Sequence, residues 1–158
     1  SLHQATAEVI GKSGAGQVEP QDKDTAIAFW TEVIANMPDW QRVGTREIAA
    51  YELRRDYIHA HGVAVQAIAA AGAQLMKSAP KDWRARLSKL RTIDWSRANR
   101  GLWDNRALVA GKVNKSKNNV TLVTNVVVKA LGLPLSAEAQ RIEDLYAPSA
   151  EAQLKVAS

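Results

Sequence analysis

Apolar residues recur at helical spacing along most of the 158-residue chain, and period-two alternation is nearly absent. Residues 2–10 can form a short helix, which Gly11-Lys12-Ser13-Gly14-Ala15-Gly16 breaks as a flexible linker. Asp22 or Asp24 can cap a helix running to about Met37, with Ile27, Trp30, Val33 and Ile34 on its inner stripe. Pro38 ends it. Thr45 offers an N-cap to a helix through about Tyr57 that carries Ile48, Tyr51 and Leu53. The stretch from Ile58 to Ser78 is apolar almost all round, as in a central helix buried by its neighbours. Gly62 and Gly72 within it permit close helix approach or mark a kink, at about 1 kcal/mol each relative to Ala.

Pro80 starts the next predicted helix, where Trp83, Leu87 and Leu90 share one face and Arg84, Arg86, Lys89 and Arg91 occupy the rest. Asp94-Trp95-Ser96 reads as a turn or cap before a short helix around Leu102 to Val109, and Gly111 to Ser116 as a basic loop. Residues 118–131 pose a conflict. Their β-branched content argues strand. Their length, the stripe Val120, Val123, Val127 and Leu131, and the stop signals Gly132 and Pro134 argue helix, and the helix reading is taken. Ser136 caps a last helix to about Tyr146, and the tail after Pro148 is expected to fray. The resulting expectation is an all-α, single compact multi-helix domain. Residues 1–21 are its short leading helix and linker, 22–148 the helical domain, and 149–158 the tail.

Composition narrows the chemistry. The chain has no cysteine, which excludes disulfides, thiolate zinc sites and thiol nucleophiles. No apolar run approaches the ~18 residues of a membrane span and no export signal opens the chain, so a soluble, cytoplasmic protein without membrane contact is expected. The start without Met suggests a fragment. Gly11-Lys12-Ser13 tempts a phosphate-loop reading, but Thr6 stands where that motif requires its first glycine. Asp56, His59 and His61 form a candidate metal set, yet on a helix the two imidazoles point about 200° apart, so polar contacts at a helix junction are expected instead. No cofactor, metal or catalytic residue is predicted, and the chain reads as non-enzymatic. The acid–Trp pairs Asp39-Trp40, Asp82-Trp83 and Asp94-Trp95 read as core anchors, with Trp103 the best candidate for base stacking.

Charge carries the functional signal. Residues 80–135 hold 12 Lys and Arg against three acids, a net +9, while the flanks 1–79 and 136–158 are each −2. Such a segregated basic segment is the electrostatic footprint of a polyanion-binding surface. No acid lies between Asn105 and Pro134, although a helix entrance normally recruits one. Lys112, Lys115 and Lys117 cluster at that entrance instead, so a phosphate on its free N–H groups would resolve the conflict. The predicted DNA-binding set is therefore Arg106, Lys112, Lys115, Ser116, Lys117, Asn118 and Asn119, with Arg84, Arg91, Arg97 and Arg100 as flanking phosphate contacts.

Several short pieces in order carry a resemblance. They are Phe29-Trp30, Pro38-Asp39-Trp40, the run Leu53 to Gly62, Asp82-Trp83, Ile93-Asp94-Trp95-Ser96-Arg97, Lys115-Ser116-Lys117-Asn118-Asn119-Val120 and Leu131-Gly132-Leu133-Pro134-Leu135. Together, over roughly Thr25 to Tyr146, the sequence resembles the C-terminal half of the DndB family of bacterial DNA phosphorothioation proteins. The family's amino-terminal Asp-Gly-Gln-His-Arg signature is missing here. The resemblance implies a duplex-DNA-binding regulator of the modification operon, dispensable for sulfur insertion, with no catalytic residues to carry over. The rival reading is a protein–protein assembly module that docks the N-terminal half of a longer protein or another copy of itself.

Overall fold

Helix α5 (Gly62–Ser78) is the axis of the fold because its sequence leaves almost no polar face to expose: Val63, Ala64, Ala67, Ile68, Ala69, Ala71, Gly72 and Leu75 are all buried. A computed structural model of the chain describes residues 1–12 and 16–146, so part of the predicted linker and the predicted tail lie outside the described residues. Helices α1 (Leu2–Val9) and α8 (Lys117–Ala130) pack most extensively on α5. The alanines of α5 allow this close approach, and α1 contributes Ala5 and Val9 to the same core as Val123, Val127 and Val128 of α8.

Helix α2 (Pro20–Ala35) opens with proline in its first turn, while Asp22 accepts the Glu19 N–H at 2.8 Å. Asp22, a predicted cap, therefore sits inside the helix at its third residue, and the observed N-cap is Glu19. The buried residues are Phe29 and Val33, and the predicted stripe is rotated, with Ile27 65% and Ile34 45% exposed. The Phe29 ring fills the space a Cβ on Gly72 would occupy, so the glycine serves close approach. Trp30 adds a tie to α1, its indole N–H donating to Thr6 Oγ1 at 3.1 Å.

Pro38 opens a new helix, α3 (Pro38–Gly44), as well as following the end of α2. Thr45 ends α3 and caps nothing downstream. Helix α4 (Ala50–Asp56) begins five residues later, where Glu52 accepts the Ala49 N–H at 3.0 Å. Leu53 faces the core while Tyr51 is exposed. The predicted central helix divides: Ile58–Ala60 is a 3₁₀ turn, His61 is extended, and α5 starts at Gly62.

Pro80 lies in a turn, and α6 (Trp83–Leu87) passes into a 3₁₀ segment, Ser88–Thr92, that together bury Leu87 and Leu90. The predicted helix 102–109 is instead α7 (Arg100–Trp103) followed by a small antiparallel hairpin, β1 (Leu108–Val109) with β2 (Lys112–Val113). Its turn places both Ala110 (φ 50°) and Gly111 (φ 75°) in the left-handed region, a two-residue geometry that glycine favours. Lys112 consequently sits on a strand. The chain is nonetheless 67% helical, so the all-α expectation holds.

The acid–Trp pairs serve the core. Trp103 is fully buried, stacks on Trp95 at 5.3 Å and donates its indole N–H to the Asp94 carbonyl at 2.8 Å, so it offers no face to a base. Ser136 caps the last described helix, α9 (137–146), by accepting the Ala139 N–H at 3.2 Å.

Candidate nucleic-acid interface

The entrance of α8 is closed by the protein itself. Ser116 Oγ accepts the Asn119 N–H at 3.2 Å, as an N-cap does. Asn119 is buried, and its amide donates to the carbonyls of Asn105 (3.3 Å) and Arg106 (2.8 Å), pinning α8 to the chain ahead of the hairpin. Ser116 and Asn119 are thus structural, in correction of the predicted set. Lys112, Lys115, Lys117 and Asn118 are exposed. Lys117 borders a cleft of about 320 Å³ between α1, α8 and α9, whose rim also carries Glu8 and Glu138.

Arg106 points inward and is 7% exposed. Its Nη1 donates to the Leu122 carbonyl (2.8 Å) and Glu143 (3.0 Å), its Nη2 donates to Glu143 (2.7 Å), and the guanidinium lies 4.3 Å over the Tyr146 ring. Burial alone would raise the Glu143 pKa, but hydrogen bonds from Arg106, Asn125 and Lys129 and the Arg106 charge prevail and hold it at about 2. Arg106 is therefore withdrawn from the predicted DNA contacts. Its acid lies 37 residues downstream on α9, outside the acid-free window that drew attention to it.

The four flanking arginines separate. Arg84 stacks 4.6 Å over the Trp83 ring. Arg91 donates to Asn36 Oδ1 (3.1 Å) and the Ala35 carbonyl (2.6 Å), closing the end of α2. Arg100 pairs with Asp104 at 2.9 Å. Arg97 donates to the carbonyls of Arg55 (3.3 Å) and Gly111 (2.7 Å), joining the end of α4 to the hairpin turn.

A second helix entrance, close to Lys115, is that of α5. Its N-cap, His61, makes no side-chain cap and its first turn carries no acid. The His61 ring instead donates from Nε2 to the Arg54 carbonyl at 2.8 Å. Lys115 reaches this point, with its Nζ 3.7 Å from where a Cβ on Gly62 would stand. Burial first, then the charges of Arg54, Arg97 and Lys115, push the His61 pKa below its ordinary value, against the opposing pull of the Arg54 carbonyl. Lys115 thus lies at a helix end whose dipole is also positive, and the charges of Arg54 and Arg97 act on the same imidazole. Arg54 and His61 were absent from the predicted set. The legible signal was an acid-free, Gly-led start to an apolar helix.

The candidate metal set disperses. His59 Nε2–H donates to Asp39 (3.1 Å), its Nδ1 accepts from the Trp40 indole (3.3 Å), and the ring stacks on Tyr57 at 5.1 Å. Among the described residues, no group of three or more His, Cys, Asp or Glu is placed to hold one ion. Burial lowers the His59 pKa more than Asp39 raises it. The unfolded chain then binds the proton first, so stability falls as pH drops below the ordinary histidine value of about 6.5. The melting temperature is expected to decline between about pH 7.5 and 5.5, and His59→Gln to shallow that decline, as followed by circular dichroism.

Fold and surface define a small, mostly helical domain with a cationic helix entrance braced by a hairpin. No helix among its described residues is long and apolar enough to cross a membrane. The chain belongs to the DndB family: the family profile described as DNA-sulfur modification-associated matches residues 1–134. That match begins ahead of the resemblance read from Thr25 and ends before α9. No curated protein and no solved structure matches the chain. Membership ties it to DNA sulfur modification.

Proposed function

We propose that this domain is a non-enzymatic DNA-binding regulator within the DNA sulfur modification system, acting on transcription of the modification operon. The observation that carries the reading is Lys115 lying at the uncapped start of α5, beside the hairpin that Arg97 fastens to the end of α4. A lysine beside a positive helix end suits a phosphate, and the duplex supplies phosphates at regular intervals. Lys112 on the hairpin and Lys117 with Asn118 at the start of α8 extend the basic surface along the chain. Arg84, Arg91 and Arg100 are already engaged with Trp83, the end of α2 and Asp104, and contribute charge at longer range.

Duplex affinity measured by fluorescence anisotropy against salt tests the proposal. The logarithm of the association constant is expected to fall linearly with that of salt concentration, and Lys115→Ala with Lys117→Ala to reduce the slope by about two. A flat dependence, or affinity unchanged in the double variant, rejects it. The assembly-module reading is favoured by one observation, the exposed Ile27 and Ile34 seven residues apart on α2. Light scattering, and a pull-down with the N-terminal half of a full-length family member, separate the two.

A further inference from the structure

Helix α9 is held on the domain by polar contacts rather than by apolar burial. Of residues 137–146 the one that is buried is a carboxylate, Glu143, while Glu138, Gln140, Arg141, Asp144 and Leu145 are exposed. None of the ten belongs to the hydrophobic core or packs against it. The helix is secured instead by Arg106, Asn125 and Lys129 on Glu143 and by the Asn125 amide on the Ala139 carbonyl at 3.1 Å. Tyr146 adds a hydroxyl donated to the Asp104 carbonyl at 3.0 Å and a ring beneath Arg106. Segments with little apolar burial and few tertiary bonds occupy the low end of local stability. The join to α8 runs through Gly132 in the left-handed conformation, and the family match ends at residue 134, so α9 lies outside the matched region.

What α9 covers is a cationic site. Arg106 and Lys129 both end on Glu143, and the Arg106 Nε is without a hydrogen-bond partner among the described residues even with the helix in place. A carboxylate and a phosphate present the same pair of oxygens to a guanidinium, so Glu143 occupies the place a phosphate would take. The Arg106 carbonyl accepts the Asn119 amide at 2.8 Å, which sets the site beside the first turn of α8, where Lys117 and Asn118 are exposed. Helix α9 is itself acidic, with Glu138, Glu143 and Asp144 against Arg141, and so carries the sign of a duplex. We propose that α9 is an autoinhibitory cover: closed, Glu143 stands in for a DNA phosphate on Arg106 and Lys129; open, those two cations join the exposed lysines of the DNA-binding surface. This rests on the DNA-binding reading and adds a gate to it. Opening strands neither ion, since both return to water or to a phosphate, and it therefore costs far less than deleting one partner of the closed pair.

Duplex affinity is measured against salt for the full chain, Glu143→Gln and Asp144→Asn. Glu143→Gln frees Arg106 and Lys129 of the charge that holds them, and is expected to bind about three- to tenfold tighter at about 0.1 M salt, with a slope steeper by about one to two. Asp144→Asn removes the same charge from the exposed side of α9 and is expected to stay within about twofold of wild type. An equal gain in both variants, or no gain in Glu143→Gln, overturns the cover while leaving DNA binding intact. Binding by Glu143→Gln alone is the extreme form of the expected result. Absence of duplex binding by all three proteins overturns both readings. Hydrogen exchange on the wild-type protein is independent of the variants' folding. The amides of 137–146 are expected to exchange faster with duplex bound than without it. Protection that is unchanged or raised on binding sinks the proposal.

Discussion

Glu143→Ala is expected to lower the unfolding free energy by about 3–5 kcal/mol, the usual cost of leaving one partner of a buried ion pair without its counter-charge. The carboxylate receives Arg106 on both oxygens, Asn125 at 2.9 Å and Lys129 at 3.1 Å. Its removal strands a guanidinium that is 7% exposed and whose Nε already lacks a partner. It also loosens α9 on α8, because Glu143 binds Asn125 and Lys129 of that helix, although Asn125 keeps its bond to the Ala139 carbonyl at 3.1 Å. Urea unfolding followed by circular dichroism measures the loss. The pH dependence gives a second signature. Glu143 is held at about 2, below its ordinary value of 4.5, so its contribution is complete above 4.5 and disappears as pH falls toward 2. The Ala variant should lose less stability over that interval than the wild type. A midpoint within about 0.5 kcal/mol of wild type would show that the pair contributes no more than an exposed one.

Phe29→Ala is expected to cost about 3–5 kcal/mol, as for a fully buried aromatic ring replaced by a methyl group. Phe29 is 0% exposed, packs edge-on against Trp30 at 5.1 Å and fills the notch left by Gly72. The notch makes a sharper test possible. Gly72→Ala alone should destabilise by about 1–3 kcal/mol through overpacking, despite the better helix propensity of alanine. In the Phe29→Ala background the same change should stabilise by about 1 kcal/mol, since the ring is gone and only the propensity gain remains. Denaturation midpoints of the four proteins check the inversion. A Gly72→Ala effect of the same sign in both backgrounds would mean that ring and glycine are not in register.

Local signals recovered the helices whose limits are written in sequence. The stripe from Val120 to Leu131 outweighed the β-branched content of α8, and the stop at Gly132 is real: its φ is +74° and the Leu133 N–H reaches back to the Val128 carbonyl at 3.0 Å. The close-approach reading of Gly72 likewise survived, because an apolar helix with a bare Cα invites a large neighbour. What local pattern could not convey was destination. Arg106 and Asn119 look like surface donors until Glu143 and the carbonyls of Asn105 and Arg106 come within reach, and both partnerships span more than twelve residues. The stripe of α2 was rotated, keeping Val33 and the partly buried Trp30 but placing Phe29 inward in place of Ile27 and Ile34, because Ile27 and Phe29 are equally apolar and only packing on Gly72 distinguishes them. The basic site moved for the same reason. Lys115 was read at the entrance of the helix that follows it, whereas the fold lays it against the entrance of α5.

Arg97 gives that relocation an entropic consequence. One guanidinium holds the carbonyls of Arg55 and Gly111, while the Arg97 N–H donates to the Asp56 carbonyl at 2.9 Å. The turn bearing Lys112 is thereby fastened to the end of α4 before any ligand arrives. Capture of an incoming strand then need not freeze a wandering loop, and the ordering penalty of about 0.5–1.5 kcal/mol per immobilised side chain falls on the lysine tips alone.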